Sequence, residues 1–148
     1  MIDEATALWD RGLKAFDGQA FSAFLGARLI SLAAEGAEIR LSVRPELLQQ
    51  DGFVHGGVLA YLADNALTFA GGAALGGAVV TVEIKVNYVR PAVGLELVAR
   101  AHAVSGGRTT AVARCDIHIV DEGAERLCAV AQGTVARMRE PAVPSDRP

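Results

Sequence analysis

An α+β fold, one antiparallel β-sheet wrapped around a single central helix, is predicted by three features of this sequence. A stretch starting near Val58 is apolar on almost every side, as a helix buried in a core must be. The second half alternates apolar and polar residues through four long runs joined by hairpin-length turns, which argues for antiparallel strands rather than βαβ units. The chain has 148 residues, 51% hydrophobic but only 5% aromatic, so one domain must build its core from Ala, Val, Leu and Ile.

The elements follow in order. Ala5, Leu8, Trp9, Leu13 and Phe16 recur at helical spacing, with Asp3 and Glu4 suited to a first turn, which predicts a helix over about 3–18. A strand from about Ala27 to Ala33 turns at Glu35-Gly36 into a second, where Ala37, Ile39, Leu41 and Val43 alternate with Glu38, Arg40, Ser42 and Arg44. Pro45 closes this hairpin. The central helix follows, with Gly71-Gly72 and Gly76-Gly77 expected to break it into a glycine loop. Val80, Val82, Ile84, Val86 and Tyr88 then predict one apolar face of a long strand. Further strands are expected over about Leu95–Ala103, Thr109–Ile119 and Arg126–Met138, with turns at Pro91-Gly94, Gly106-Gly107 and Asp121-Gly123. The last nine residues, EPAVPSDRP, hold three prolines; a single domain over 1–140 with a disordered end at 141–148 is the expectation.

Composition excludes several classes of function. Fourteen basic against seventeen acidic residues, without a Lys/Arg cluster, supply no footprint for nucleic acid. Cys115 and Cys128 form no CxxC pair, and His55, His102 and His118 are scattered, so no metal site is expected. Two buried, reduced thiols and an acidic start without an apolar export segment point to a cytoplasmic protein. The window Val58–Val80 carries one formal charge, Asp64, but Asn65, Thr68 and the glycine pairs interrupt it before a bilayer's width, so no membrane span is expected.

Chemistry concentrates in residues 51–72. Gly56-Gly57 sit where the central helix begins, and a helix start offers unpaired N–H groups and partial positive charge to an anion or oxyanion. From this pair alone, close helix–sheet packing is the favoured reading. Tyr61, Asp64, Asn65 and Thr68, at i, i+3, i+4 and i+7, form one narrow polar stripe opposite Leu59, Leu62, Ala63, Ala66 and Ala70. No Lys or Arg lies between Arg44 and Lys85 to neutralise Asp64 along the helix. Either a strand residue such as Lys85 or Arg90 pairs with it, or it serves as a general base or nucleophile tuned by burial; the pattern favours the second. Gly56 and Asp64 are eight residues apart, about 12 Å along one helix. One carbonyl cannot touch both on the same chain, so cooperation between them requires two copies.

HGGVLAYLAD (55–64), VNYVRPA (86–92) and GRTTA (107–111) resemble the hotdog-fold acyl-CoA thioesterases, in particular their PaaI-like branch, over about Gly26 to Met138. The resemblance implies a helix wrapped by an antiparallel sheet, assembled as a homodimer at least and often as a homotetramer of two dimers. It implies that Asp64 activates water or attacks the thioester, that the Gly56 N–H polarises its carbonyl, and that Gln49, an amide six residues before His55, holds the water or the carbonyl. Thr68 matches a hydroxyl that supports the carboxylate, and Thr81 a Ser/Thr position of some members. His55 and Gly57 complete the motif at the substrate, His55 chiefly as a structural hydrogen-bonder. Arg90, Arg108 and Thr109 match positions near the CoA nucleotide and pantetheine arm. No cofactor is implied, coenzyme A being part of the acyl-CoA substrate. A non-catalytic acyl-CoA-binding module and a hotdog hydratase are the alternatives. The first gains nothing from an unpaired Asp64, and the second lacks a suitably placed catalytic His. Aryl-acetyl, benzoyl-type and medium-chain acyl groups all remain open.

Overall fold

A computed structural model describes residues 1–139 of the chain; the end expected at 141–148 lies outside the described residues. Helix α1 spans Glu4–Asp17, with the Asp3 carboxylate capping it through the Thr6 N–H at 2.7 Å. It buries Gly12 and Phe16 toward the core. A short helix α2, Ala20–Leu25, was not foreseen; six residues carry too little periodicity to signal it, and it stops at Gly26, whose φ is +79°. Strands β1 (Arg28–Ala33) and β2 (Gly36–Ser42) form the expected hairpin.

Helix α3 then runs from Gly56 to Leu75, and β3 (Val79–Tyr88), β4 (Glu96–Gly106), β5 (Thr110–Asp121) and β6 (Ala124–Arg137) complete one antiparallel sheet in the order β1-β2-β4-β5-β6-β3. The sheet faces α3 with small residues and isoleucines in register. Ala37, Ala101, Cys115 and Ala131 make one row, Ile39, Ala99, Ile117 and Ala129 the next. Against them α3 places Leu59, Leu62, Ala63, Ala66, Leu67 and Ala70, all buried. By length and composition α3 could cross a membrane, but here 56% of its apolar window is buried within the fold.

Two expectations are corrected. The helix does not break at Gly71-Gly72 but continues to Leu75 and ends at Gly76, with φ +74°. A Cβ on Gly71 would collide with the buried Val135 of β6, so the glycine lets helix and sheet close together instead of ending the helix. Nor does β3 keep one apolar face. A register irregularity between Thr81 and Glu83 reverses its phase: Val80, Val82 and Tyr88 are exposed, whereas Thr81, Ile84 and Val86 are half-buried. The bulge thereby turns Thr81 toward α3.

Candidate active site

The start of α3 is shaped by the loop before it. The Leu48–Val54 bridge and the bond from the His55 N–H to Leu47 O (2.8 Å) fix residues 47–55 as a tight hairpin. His55 is the N-cap, its Nδ1 accepting the Gly57 N–H at 2.9 Å, which places the proton of the neutral ring on Nε2. His55 and Gly57 thus satisfy each other. The Gly56 N–H meets no acceptor among the described residues. Tyr88, at the end of β3, donates its hydroxyl to Gly56 O (3.0 Å) and lays its ring over the Gly56 backbone. Gly56 opens into a hollow of about 340 Å³ with Phe53, Leu59, Tyr88 and Arg90 on its walls. Gln49 lies in the hairpin, half-buried, with its side-chain carbonyl accepting the Asp51 N–H and its amide NH₂ without an acceptor among the described residues.

Asp64 opens into a different hollow, about 460 Å³, shared with Gln19, Phe21, Tyr61, Thr68, Val80 and Thr81. Among the described residues the carboxylate has no ion pair, so neither Lys85 nor Arg90 neutralises it. It is half-buried, and its Oδ1 accepts the Thr81 hydroxyl at 2.5 Å. That charge-assisted bond holds one oxygen, and the other has no partner among the described residues. Thr68 donates its proton to Asn65 O (2.7 Å), so its oxygen keeps two lone pairs on the same hollow.

The polar stripe of α3 therefore splits between two partners. Asp64 turns to β3, while Tyr61 and Asn65 turn to α2. Asn65 and Gln19 exchange amide hydrogen bonds at 3.0 and 3.1 Å, Asn65 also donates to Tyr61 Oη at 3.1 Å, and Ser22 donates to Gln19 and meets Tyr61. This network fastens α2 beside Asp64. Gln19 and Ser22 were missed because nothing in the spacing ties the start of α2 to a helix some 40 residues on.

Within one chain, then, the predicted residues form two groups. Gly56, His55, Gly57, Gln49 and Arg90 gather at the Tyr88 end of β3. Asp64, Thr68 and Thr81 gather near its Val79 end, where Arg108 and Thr109 also lie, bonded through their backbone to Arg137 opposite Val79. The two ends of β3 are nine residues, roughly 30 Å, apart.

Comparison with known proteins agrees with this architecture. A family model for the thioesterase superfamily matches residues 51–125. The chain is 32% identical over 117 residues to an esterase-named protein of Archaeoglobus fulgidus, covering 78% of this chain and 73% of that one. It is 34% identical over 91 residues to acyl-coenzyme A thioesterase 13 of Mus musculus, covering 60% and 65%. Among solved structures, a thioesterase family protein from Silicibacter pomeroyi superposes with a TM-score of 0.81 at 33% identity, over 87% of this chain and 96% of that one. The phenylacetic acid degradation protein PaaI of Thermus thermophilus superposes at 0.71 and 34% identity, over 81% and 100%. A matching family model across half the chain, together with a shared six-stranded wrap, identifies the chain as a hotdog-fold thioester hydrolase belonging to the thioesterase superfamily, PaaI-like in its neighbours.

Proposed function

We propose that the chain hydrolyses acyl-CoA thioesters in a homodimer, each site joining the Asp64 half of one subunit to the Gly56 half of the other. One observation carries this reading: an Asp64 carboxylate without a cation among the described residues stands about 12 Å of helix from a Gly56 N–H without an acceptor. Each half alone is incomplete. The free Asp64 oxygen takes a proton from water, and the hydroxide attacks the thioester carbon. The tetrahedral oxyanion is held by the partner's Gly56 N–H at the positive end of α3. Collapse breaks the C–S bond, the proton passes from Asp64 to the leaving thiolate, and free CoA and a carboxylic acid result.

The remaining residues take supporting parts. Thr81 fixes the Asp64 rotamer, and the Thr68 oxygen accepts from the attacking water. The Gln49 amide NH₂ reaches the water or carbonyl from the other half. His55, by capping Gly57, leaves Gly56 as the donor for the oxyanion. Arg90 beside Gly56 and Arg108 with Thr109 from the partner's end of β3 flank the same site and suit the phosphates and pantetheine of CoA. Coenzyme A arrives with the substrate and no resident cofactor takes part. Pairing of two dimers into a homotetramer and residence in the cytoplasm complete the proposal. Hydrolysis of a panel of acyl-CoA esters, followed by release of free thiol, tests it. Asp64→Asn is expected to lose activity about 100-fold or more; an undiminished rate in that variant overturns the mechanism.

A further inference from the structure

A third hollow, about 310 Å³, lies beneath α1, walled by Leu8, Gly12 and Leu32 on one side and Phe69, Ala73 and Val79 on the other. The reaction steps above make no use of it. It shares Gln19, Thr68 and Val79 with the Asp64 hollow, so the two meet along α3. Resting on the thioesterase reading, we infer that this hollow takes the apolar tail of the acyl group and limits its length. Phe69 and Ala73 follow Asp64 by five and nine residues, about 7.5 and 13.5 Å down the helix axis. An acyl group whose carbonyl sits at Asp64 passes Gln19 and Thr68 and runs along α3 toward Ala73.

Two measures bound the tail, one for the part inside this hollow and one for the whole path from Asp64. At about 30 Å³ per water-sized group, 310 Å³ holds about ten non-hydrogen atoms. An extended chain gains about 1.2 Å per bond, a third of its span per residue, so 13.5 Å accommodates about eleven bonds. A medium-chain or aryl-acetyl tail fits both limits, and a sixteen-carbon chain exceeds both. The walls are Leu, Ala, Phe, Val and Gly, with Arg11 at the rim, so each added methylene inside them is expected to raise kcat/KM about fourfold.

The test uses the full chain with acetyl-, hexanoyl-, octanoyl-, decanoyl-, palmitoyl- and phenylacetyl-CoA, comparing wild type with Ala73→Phe, which fills the hollow. Expected is a kcat/KM that climbs to octanoyl or decanoyl and drops at palmitoyl. Ala73→Phe is expected to cut decanoyl-CoA hydrolysis by tenfold or more while acetyl-CoA stays within twofold. Phenylacetyl-CoA against octanoyl-CoA separates aryl from linear tails. Equal losses on all substrates, or a wild type that prefers palmitoyl, overturn the inference. Ala15→Trp, on the exposed rim of α1, repeats the block without entering the core and must give the same shift in chain-length profile. Calorimetric titration with decanoate separates the two readings. Saturable binding that Ala73→Phe abolishes supports the pocket even if no CoA ester is cleaved, a result that would remove only the thioesterase mechanism. Absence of binding to wild type removes the pocket.

Discussion

Two crippled subunits should restore one another if each site spans two chains. Gly56 is the first residue of α3, a position at which proline keeps the helix and deletes only an N–H. His55, at φ −59° and ψ 135°, already has the extended conformation a following proline requires. A Cβ at residue 56 would rest 3.4 Å from the Tyr88 ring, a tolerable approach. On the proposed mechanism Gly56→Pro therefore removes the oxyanion donor and little else, at a cost of about 2.7–4 kcal/mol, or 100- to 1,000-fold in kcat. Asp64→Asn removes the base. Homodimers of either variant carry the same defect at both sites. In a mixed dimer, one site collects both defects and the other has neither. Refolded together in equal amounts, half of the dimers are mixed and half of their sites are intact, so about a quarter of wild-type activity should return. The measurement is steady-state thiol release from the co-refolded mixture against each variant alone. A mixture no more active than its components would refute the division of the site between subunits.

Other consequences can be checked on stability and reactivity. A Cβ at Gly133 would stand 2.7 Å from the Glu83 carbonyl oxygen and 3.2 Å from Leu67, so Gly133→Ala is expected to destabilise by about 1–3 kcal/mol, seen as an earlier denaturant midpoint; an unchanged midpoint would show that β3 moves aside freely. Burial pushes the Cys115 thiol up to about 12 and Cys128 to about 11 from an ordinary 9.0. Neither should alkylate at pH 8 in the folded protein, and both should react once it is unfolded. On the outer face of the sheet, burial opposes the charge on Glu38, but Arg40 (2.6 Å) and Arg100 (3.0 Å) outweigh it and hold the carboxyl below its usual range. A depressed carboxyl contributes stability above its unfolded value and loses it as pH falls through the folded one. Glu38→Gln should therefore lower Tm at pH 7 by about 3 °C, for about 1 kcal/mol from partly exposed pairs, and by less at a pH below the usual carboxylate range. An equal loss at both pH values would exclude the ion pairs as its source.

What could be read from residues alone was whatever periodicity encodes. The 3.6-residue repeat from Ala5 to Phe16 and the alternation from Ala37 to Leu41 each fix a face; the structure buries Ala37, Ile39 and Leu41, and on the helix it buries Phe16, half-buries Leu8, Trp9 and Leu13 and leaves Ala5 exposed. The glycine pair at 71–72 misled because a glycine needed for close packing and one that ends a helix look alike in sequence; only Val135 across the interface tells them apart. The bulge near Val82 was invisible for a related reason. Alternation continues through it unbroken, while the pairing with β6 slips and exchanges which residues face inward. Asp64 was legible as a charge in an apolar helix, and Thr81 as a strand position whose role no spacing could decide. Its meeting with Asp64 depends on that slip.

The edges of the sheet decide where a second chain can dock. An edge strand left long, regular and apolar invites pairing, whereas a short, bulged or charged one resists it. β1 is six residues, irregular between Leu29 and Ser31, and begins at an Arg28 paired to Glu96. β3 also carries a bulge, between Thr81 and Glu83, but it is ten residues long and exposes Val80 at 54% and Val82 at 60%. Of the two, β3 is the receptive edge. Antiparallel pairing of β3 with its copy about a two-fold axis would set the Tyr88 end of each against the Val79 end of the other. Those are the ends that hold Gly56 and Arg90 in one case, and Asp64, Thr81 and Arg108 in the other. The same pairing would cover apolar surface that a lone chain leaves in water, close both hollows, and bring each carboxylate to the partner's helix start. On the proposed mechanism assembly and chemistry would be one requirement, the exposed β3 edge and the divided site being met by the same contact.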